Sequence, residues 1–354
     1  MTVPQPTVRR VLAREVMDLP AGHVVRATGP DDVEAMTALR RAVDIAGCGH
    51  SSTNIEEVVD ELADPDCGWE YGSACVWRES DLVGTVQVYD GLVDGCGWEL
   101  EVHARPGDPR GRPILGALID AALREGRYRW DALYMDPEVP LPTAKASCYL
   151  NDGAVRAELE QRGFAEVRRF WRMKVDHWSV EGLTGPGSIG ESPGGAPGVG
   201  APPDGYRLRP FRDDESDWRG VHAVHSAAFL DHFDFTPIGF DAWRGHLHGQ
   251  TEDPTQWVLA EHDGEIIGYA RGSNTYAGDD CGYVASIGVL AEHRGRGVAR
   301  ALLRARMADD VERGFLSTIL HVDAESPTGA TALYGSLGFV ADSEFVGFHR
   351  PLFR

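Results

Sequence analysis

The chain carries the same punctuation twice. Cys96-Gly97-Trp98 answers Cys281-Gly282-Tyr283, Arg110-Gly111-Arg112 answers Arg294-Gly295-Arg296, and Gly163-Phe164 answers Gly338-Phe339, in the same order. Such a repeat constrains the fold more than any single motif, because each copy must bury its own apolar residues with the same elements. Between the copies, residues 179–205 (SVEGLTGPGSIGESPGGAPGVGAPPDG) are rich in Gly, Pro and Ser and nearly free of large apolar groups. So little apolar surface does not offset the entropy of ordering, and the stretch reads as a flexible linker. The expected organisation is an N-terminal extension (1–22), a first domain (23–178), the linker (179–205) and a second domain (206–354). A length of 354 residues is enough for two domains with separate cores.

Apolar periodicity predicts the same succession of elements in both halves. In the first, HVVRA (23–27) reads as a strand, and a helix capped by Pro30-Asp31-Asp32 carries Val33, Met36, Leu39, Val43 and Ile45. A short helix over 55–62, a hairpin (73–77 and 82–89), a strand (96–103), a helix (114–123), a strand (132–135) and a helix (154–162) follow. In the second, a strand starts at Tyr206, and Asp213 and Asp214 open a helix. A helical segment over 240–247 and a hairpin turning at Asp263-Gly264 come next. Val8, Val11, Leu12, Val16 and Leu19 could form one apolar helical stripe, so the extension is expected to be a docking helix or a frayed tail.

The chemistry concentrates in CGYVASIGVLAEHRGRGVARALL (281–303). The apolar run from Tyr283 to Leu290 suits a buried strand, and Ala299, Leu302, Leu303 and Met307 recur at helical spacing. Between them lies Arg294-Gly295-Arg296-Gly297-Val298-Ala299. Glycines let backbone approach a ligand, and the following helix turns unpaired N–H groups and its positive dipole end towards it. With two arginines beside them, the implied ligand is a pyrophosphate. Arg300 stands where a dinucleotide-binding loop needs its third glycine, and no Gly-Lys-Ser/Thr follows as in a P-loop. Nicotinamide and ATP sites are disfavoured.

This strand, R-G-R-G-V-A and helix resemble motif A of the GNAT acyltransferase superfamily. A second segment, the strand 317–324 (STILHVDA) and then ATALYGSLGF (330–339), resembles that family's A-x-x-L-Y-x-x-x-G-F signature. The tandem plan is similar to the mycothiol synthase-like two-domain N-acetyltransferases. The resemblance implies an α/β fold of α+β type: two tandem GNAT folds, each a mixed, mostly antiparallel sheet flanked by helices. It implies acetyl-CoA or another acyl-CoA as co-substrate, and direct transfer to an amine of a small metabolite in a ternary complex. Carried over by position, the cofactor site comprises Ile287, Val289, Arg294, Gly295, Arg296, Gly297, Val298, Ala299 and Ser326. The N–H near Val289 is the oxyanion donor, and Tyr334 the acid that protonates the departing thiolate.

Departures from the pattern are equally informative. The first copy has Pro113 at the place of Gly297, Leu115 at that of Ala299 and Leu159 at that of Tyr334, so turnover is expected only in the second. Pro327 stands where the family often has a cofactor-contacting Asn. The family's usual base is a Glu on the central strand; Tyr283 stands there, and no carboxylate lies between Cys281 and Leu290. His225, Asp231, His232, Asp323 and a water chain remain open as alternatives. An acyl-CoA-binding protein without turnover and a protein N-acetyltransferase are the competing functions.

A net charge of −21 argues against a nucleic-acid partner; it reads first as an acidic surface kept for solubility and is compatible with a cationic acceptor. No apolar run reaches about 18 residues, so no membrane span is expected. The six cysteines show no zinc spacing, and reduced thiols in a cytoplasmic protein are expected, with no metal.

Overall fold

Ten helix and strand segments of each sequence half recur in one order, β-α-α-β-β-β-α-β-α-β, in a computed structural model that describes residues 12, 17–51, 53–63, 71–91, 97–133, 142–180, 183, 202–247 and 249–352. Most of the expected extension, including Val8, Val11 and Val16 of its apolar stripe, and most of the linker lie outside the described residues. The first half contributes β1 (His23–Ala27), α1 (Val33–Cys48), α2 (Ile55–Ala63), β2 (Ser73–Arg78), β3 (Asp81–Gly91), β4 (Gly97–Ala104), α3 (Gly111–Leu133), β5 (Thr143–Tyr149), α4 (Gly153–Gln161) and β6 (Ala165–Asp176). The second contributes β7 (Tyr206–Pro210), α5 (Glu215–Ala228), α6 (Phe240–Gly245), β8 (Val258–His262), β9 (Glu265–Ser273), β10 (Cys281–Val289), α7 (Val298–Glu312), β11 (Ser317–Asp323), α8 (Ala330–Gly335) and β12 (Val340–Pro351).

The compact units do not follow the repeat. One consists of Met1–Arg169 with Glu344–Arg354, the other of Phe170–Ser343, whereas the repeat suggested bounds of 23–178 and 206–354. In the first unit, β1 to β4 pair antiparallel in chain order, β5 lies parallel to β4, and β12 closes the sheet antiparallel to β5, with Phe345 opposite Tyr149. In the second, β7 to β10 are antiparallel, β11 is parallel to β10, and β6 closes the sheet against β11, with Phe170 opposite Asp323. A parallel pair leaves the far edge of its second strand unpaired, and each unit fills that edge with a strand from the other half of the sequence.

One predicted element is corrected. Of the strand expected at 132–135, Ala132 and Leu133 are the end of α3, in which Trp130 is buried, and the other two residues lie outside the described ones; the next described strand begins at Thr143. An apolar run that short does not distinguish a strand from a helix end.

The second unit positions the site. On one face of its sheet Val284, Leu320 and Val322 pack with Leu303 and Met307 of α7 and Tyr334 of α8. On the other face Tyr269 packs with Trp218 and Val221 of α5 and Trp243 of α6. Asp214 starts α5 by accepting a hydrogen bond from the Asp217 N–H, as its sequence position suggests. No helix among the described residues is long and apolar enough to cross a membrane.

Candidate active site

Strand β10 is paired on both sides only for half its length. Its parallel ladder with β11 runs from Cys281 opposite Ser317 to Val284 opposite Leu320 and then stops, while pairing with β9 continues to Val289. The register against β9 shifts between Val284 and Ser286, which marks Ala285 as a bulge at the point of divergence. Beyond it, the Leu290 N–H bonds the Ile267 carbonyl at 3.0 Å. Hydrogen-bonded pairs alternate along an antiparallel ladder, so the N–H groups of Ile287 and Val289 turn away from β9, to the side where β11 has parted. Unpaired donors at a strand edge are a preformed oxyanion site.

The loop after β10 continues this row of donors. Gly295 and Gly297 have φ of 71° and 87°, the left-handed region that suits glycine, and Gly297 is the N-cap of α7. Among the described residues, no acceptor bonds the N–H groups from Gly295 to Arg300; the next bond is Ala301 N–H to the Gly297 carbonyl, 3.1 Å. No acidic side chain stands in the first turn of α7. The positive helix end is left for an external anion.

These groups border one cleft of about 450 Å³ within the second unit. Ile287, Val289, Arg294, Gly295, Gly297, Val298 and Ala299 line it, as does Tyr334. Two sequence candidates lie elsewhere. Arg296 is exposed and does not line the cleft. Ser326 forms a turn instead, its hydroxyl 2.9 Å from that of Thr328. Arg294 lines the cleft with its guanidinium held by protein: Nε donates to the Val289 carbonyl (3.0 Å), Nη1 to Asp231 (3.0 Å) and Nη2 to the Ala228 carbonyl (2.8 Å). It fixes the loop to the end of β10 and to the end of α5.

Arg300, Thr328 and Gly329 also line the cleft and were not singled out from sequence. The signal for Arg300 was its place on the first turn of α7. For Gly329 it was the turn that α8 requires, with φ of 73°.

Tyr334 on α8 is 7% exposed, and its ring packs 6.0 Å from that of Phe339. Its hydroxyl has no hydrogen-bond partner among the described residues, and burial pushes its pKa up to about 12. It is a fully protonated donor at the cleft wall. The candidate bases separate. Asp231 is paired with Arg294, and the Asp323 carboxylate accepts the Glu325 N–H at 2.8 Å. His232 lines the same cleft, stacked on Phe229 at 4.3 Å. His225 lies on the opposite face, with Nδ1 2.7 Å from the Tyr269 hydroxyl. The neighbouring His222 has Nε2 3.0 Å from the Ile238 carbonyl.

The first unit shows what the loop looks like when it is closed. A cleft of about 430 Å³ is lined by residues 105–109 with Gly111 and Arg112. There Asp108 accepts the Arg110 N–H at 2.9 Å, and Arg112 Nε donates to Glu158 at 2.9 Å. The chain's own carboxylates occupy the donors that an anion would need.

Comparison with known proteins agrees with this geometry. Residues 218–339 match the acetyltransferase (GNAT) family model. A mycothiol acetyltransferase of Thermobispora bispora is 31% identical over 247 residues, covering 68% of this chain and 71% of that protein. One from Pseudarthrobacter chlorophenolicus is 28% identical over 353 residues, 95% and 92% of the two chains. Among solved structures, a GCN5-related N-acetyltransferase from Sphaerobacter thermophilus superposes with a TM-score of 0.75 at 24% identity, covering 94% of this chain and 97% of that one. A tandem GNAT protein from the clavulanic acid biosynthesis pathway superposes with a TM-score of 0.64 at 16% identity, covering 94% and 98%.

Proposed function

Since this chain belongs to the GNAT acetyltransferase family, we propose that its second unit moves the acetyl group of acetyl-CoA directly onto an amine of a small metabolite. The observation that carries this reading is two sets of unpaired N–H groups, those of Ile287 and Val289 and those from Gly295 to Arg300, along one cleft. The donors from Gly295 to Arg300 suit the pyrophosphate of the co-substrate, and Arg300 adds a full charge. The N–H groups of Ile287 and Val289 stabilise the oxyanion as the amine nitrogen bonds to the thioester carbon. Tyr334 donates a hydrogen bond to the sulfur as the C–S bond breaks.

The acceptor reading rests on the relatives named mycothiol acetyltransferase. It favours an amine of the mycothiol type, an amino sugar or thiol conjugate, over a protein. Tyr283, at the position of the family's usual carboxylate, means that the proton of the amine leaves by another route. Calorimetric titration of acetyl-CoA tests the cofactor site: wild type binds, and Gly297→Pro, which rules out φ of 87°, abolishes binding. Wild-type protein that leaves acetyl-CoA unbound overturns the proposal.

A further inference from the structure

On the face opposite the cofactor cleft, three side chains from three elements form one hydrogen-bonded line. Ser286 Oγ of β10 lies 2.6 Å from the Tyr269 hydroxyl of β9, which lies 2.7 Å from His225 Nδ1 of α5. Tyr269 is 1% exposed, whereas Ser286 and His225 at the two ends are half-buried. The line starts at the divergence of β10 and β11, since Ser286 follows the bulge and precedes Ile287, whose side chain lies on the cleft side. A group held in the gap therefore has the Ile287 and Val289 N–H groups along one edge and the Ser286 hydroxyl on the α5 face. The position of Tyr269 is built in: a Cβ on Gly288 would stand 3.0 Å from Tyr269 Cε1 and 3.2 Å from Ala228 Cβ. The bare strand at Gly288 is what lets the phenol lie across β10.

We propose that Ser286, Tyr269 and His225 form a proton relay that takes the proton of the acceptor amine, in place of a carboxylate base. This rests on the acetyl-transfer reading above. In the required arrangement the Ser286 hydroxyl donates to Tyr269, Tyr269 donates to His225 Nδ1, and His225 carries its hydrogen on Nε2. The neutral amine forms the C–N bond and the C–S bond breaks. One N–H proton passes to Ser286 Oγ as the Ser286 proton moves to Tyr269 and the Tyr269 proton to His225 Nδ1. His225 then releases its Nε2 proton to solvent, and the thiolate takes one up from solvent, so no net proton is gained or lost. Burial first, and then Arg271, His222 and His232, lower the His225 pKa to about 4, which keeps the ring neutral and able to accept at physiological pH. The buried Tyr269 is pushed up to about 12, so it holds its proton between transfers.

The test uses the full chain with acetyl-CoA and a panel of probe amines comprising glucosamine, cysteamine and S-methylcysteamine, with the acetylated product measured by mass spectrometry. Ser286→Ala and Tyr269→Phe each remove one hydroxyl from the line. Both are expected to lower kcat by about 10²-fold, the low end for general-base catalysis, with unchanged calorimetric affinity for acetyl-CoA. Ser286→Thr restores most of the rate. In mixtures of H₂O and D₂O, the wild-type rate falls along a curve that reports more than one proton in flight, and both hydroxyl deletions abolish the curvature. Full wild-type turnover in Ser286→Ala or Tyr269→Phe overturns the relay and leaves the transferase assignment standing. A wild type that binds acetyl-CoA and acetylates none of the probes overturns the transferase assignment and the relay with it.

Discussion

Tyr334 is a donor rather than a strong acid. Its only resolved perturbation is burial, which holds the phenol at about 12, against about 8.5 for an ordinary thiol. Full transfer of its proton to the sulfur is uphill, so its part is a hydrogen bond to the charge that develops there. Tyr334→Phe is expected to lower kcat by about 10²-fold without changing acetyl-CoA affinity, the signature of a contact made in the transition state. The raised pKa also fixes the sign of a pH effect: the phenol keeps its proton through about pH 10. Wild-type kcat should not decline between pH 8 and pH 10 through this group; a decline there that Tyr334→Phe removes would contradict the assignment. Tyr334 was legible because Leu333, Gly338 and Phe339 lie within five positions of it. The line from Ser286 through Tyr269 to His225 was not, since it joins residues 17 and 44 positions apart that only the β9–β10 register and the seating of α5 bring together.

At the scale of elements, β10 and α7 act as one piece. Gly282 sits against the helix so closely that an added Cβ would stand 2.1 Å from the Asp310 carboxyl carbon. Asp310 is fully buried, paired with the equally buried Arg306, and it accepts a hydrogen bond from Thr318 of β11 at 2.6 Å. Gly282→Ala is therefore expected to cost about 2–4 kcal/mol of unfolding free energy, through overpacking and a disturbed buried ion pair. A denaturant midpoint equal to that of wild type would show that the strand and helix separate without loss. The strand, loop and helix were readable in order because the motif is local. The strands that close the sheets were not. β6 (AEVRRFWRMKVD) is interrupted by charges, and β12 (VADSEFVGFHRP) carries the polar run Asp342-Ser343-Glu344, so neither presents the clean alternation that marks a half-buried strand. Their exchange has no local signature at all, because the two copies offer equivalent strands to equivalent edges.

For the whole molecule, duplication has produced two clefts of similar volume and unequal chemistry. In the second unit the donors from Gly295 to Arg300 are unpaired among the described residues; in the first, Asp108 and Glu158 already hold the backbone and the arginine of the corresponding loop. Calorimetry is expected to give one acetyl-CoA per chain, unchanged by Gly111→Pro; a second equivalent lost in that variant would show that the first cleft binds as well. The exchanged strands bear on how the protein is made. β5 receives its second partner, beyond β4, only when β12 has been synthesised, about two hundred residues later, which at about 5–20 residues per second is about 10–40 s. Throughout that interval the nascent first unit presents the edge of β5 without its native neighbour. Completion of its sheet therefore waits on the ribosome, and chaperone occupancy on stalled nascent chains should persist until the codons for β12 have been read.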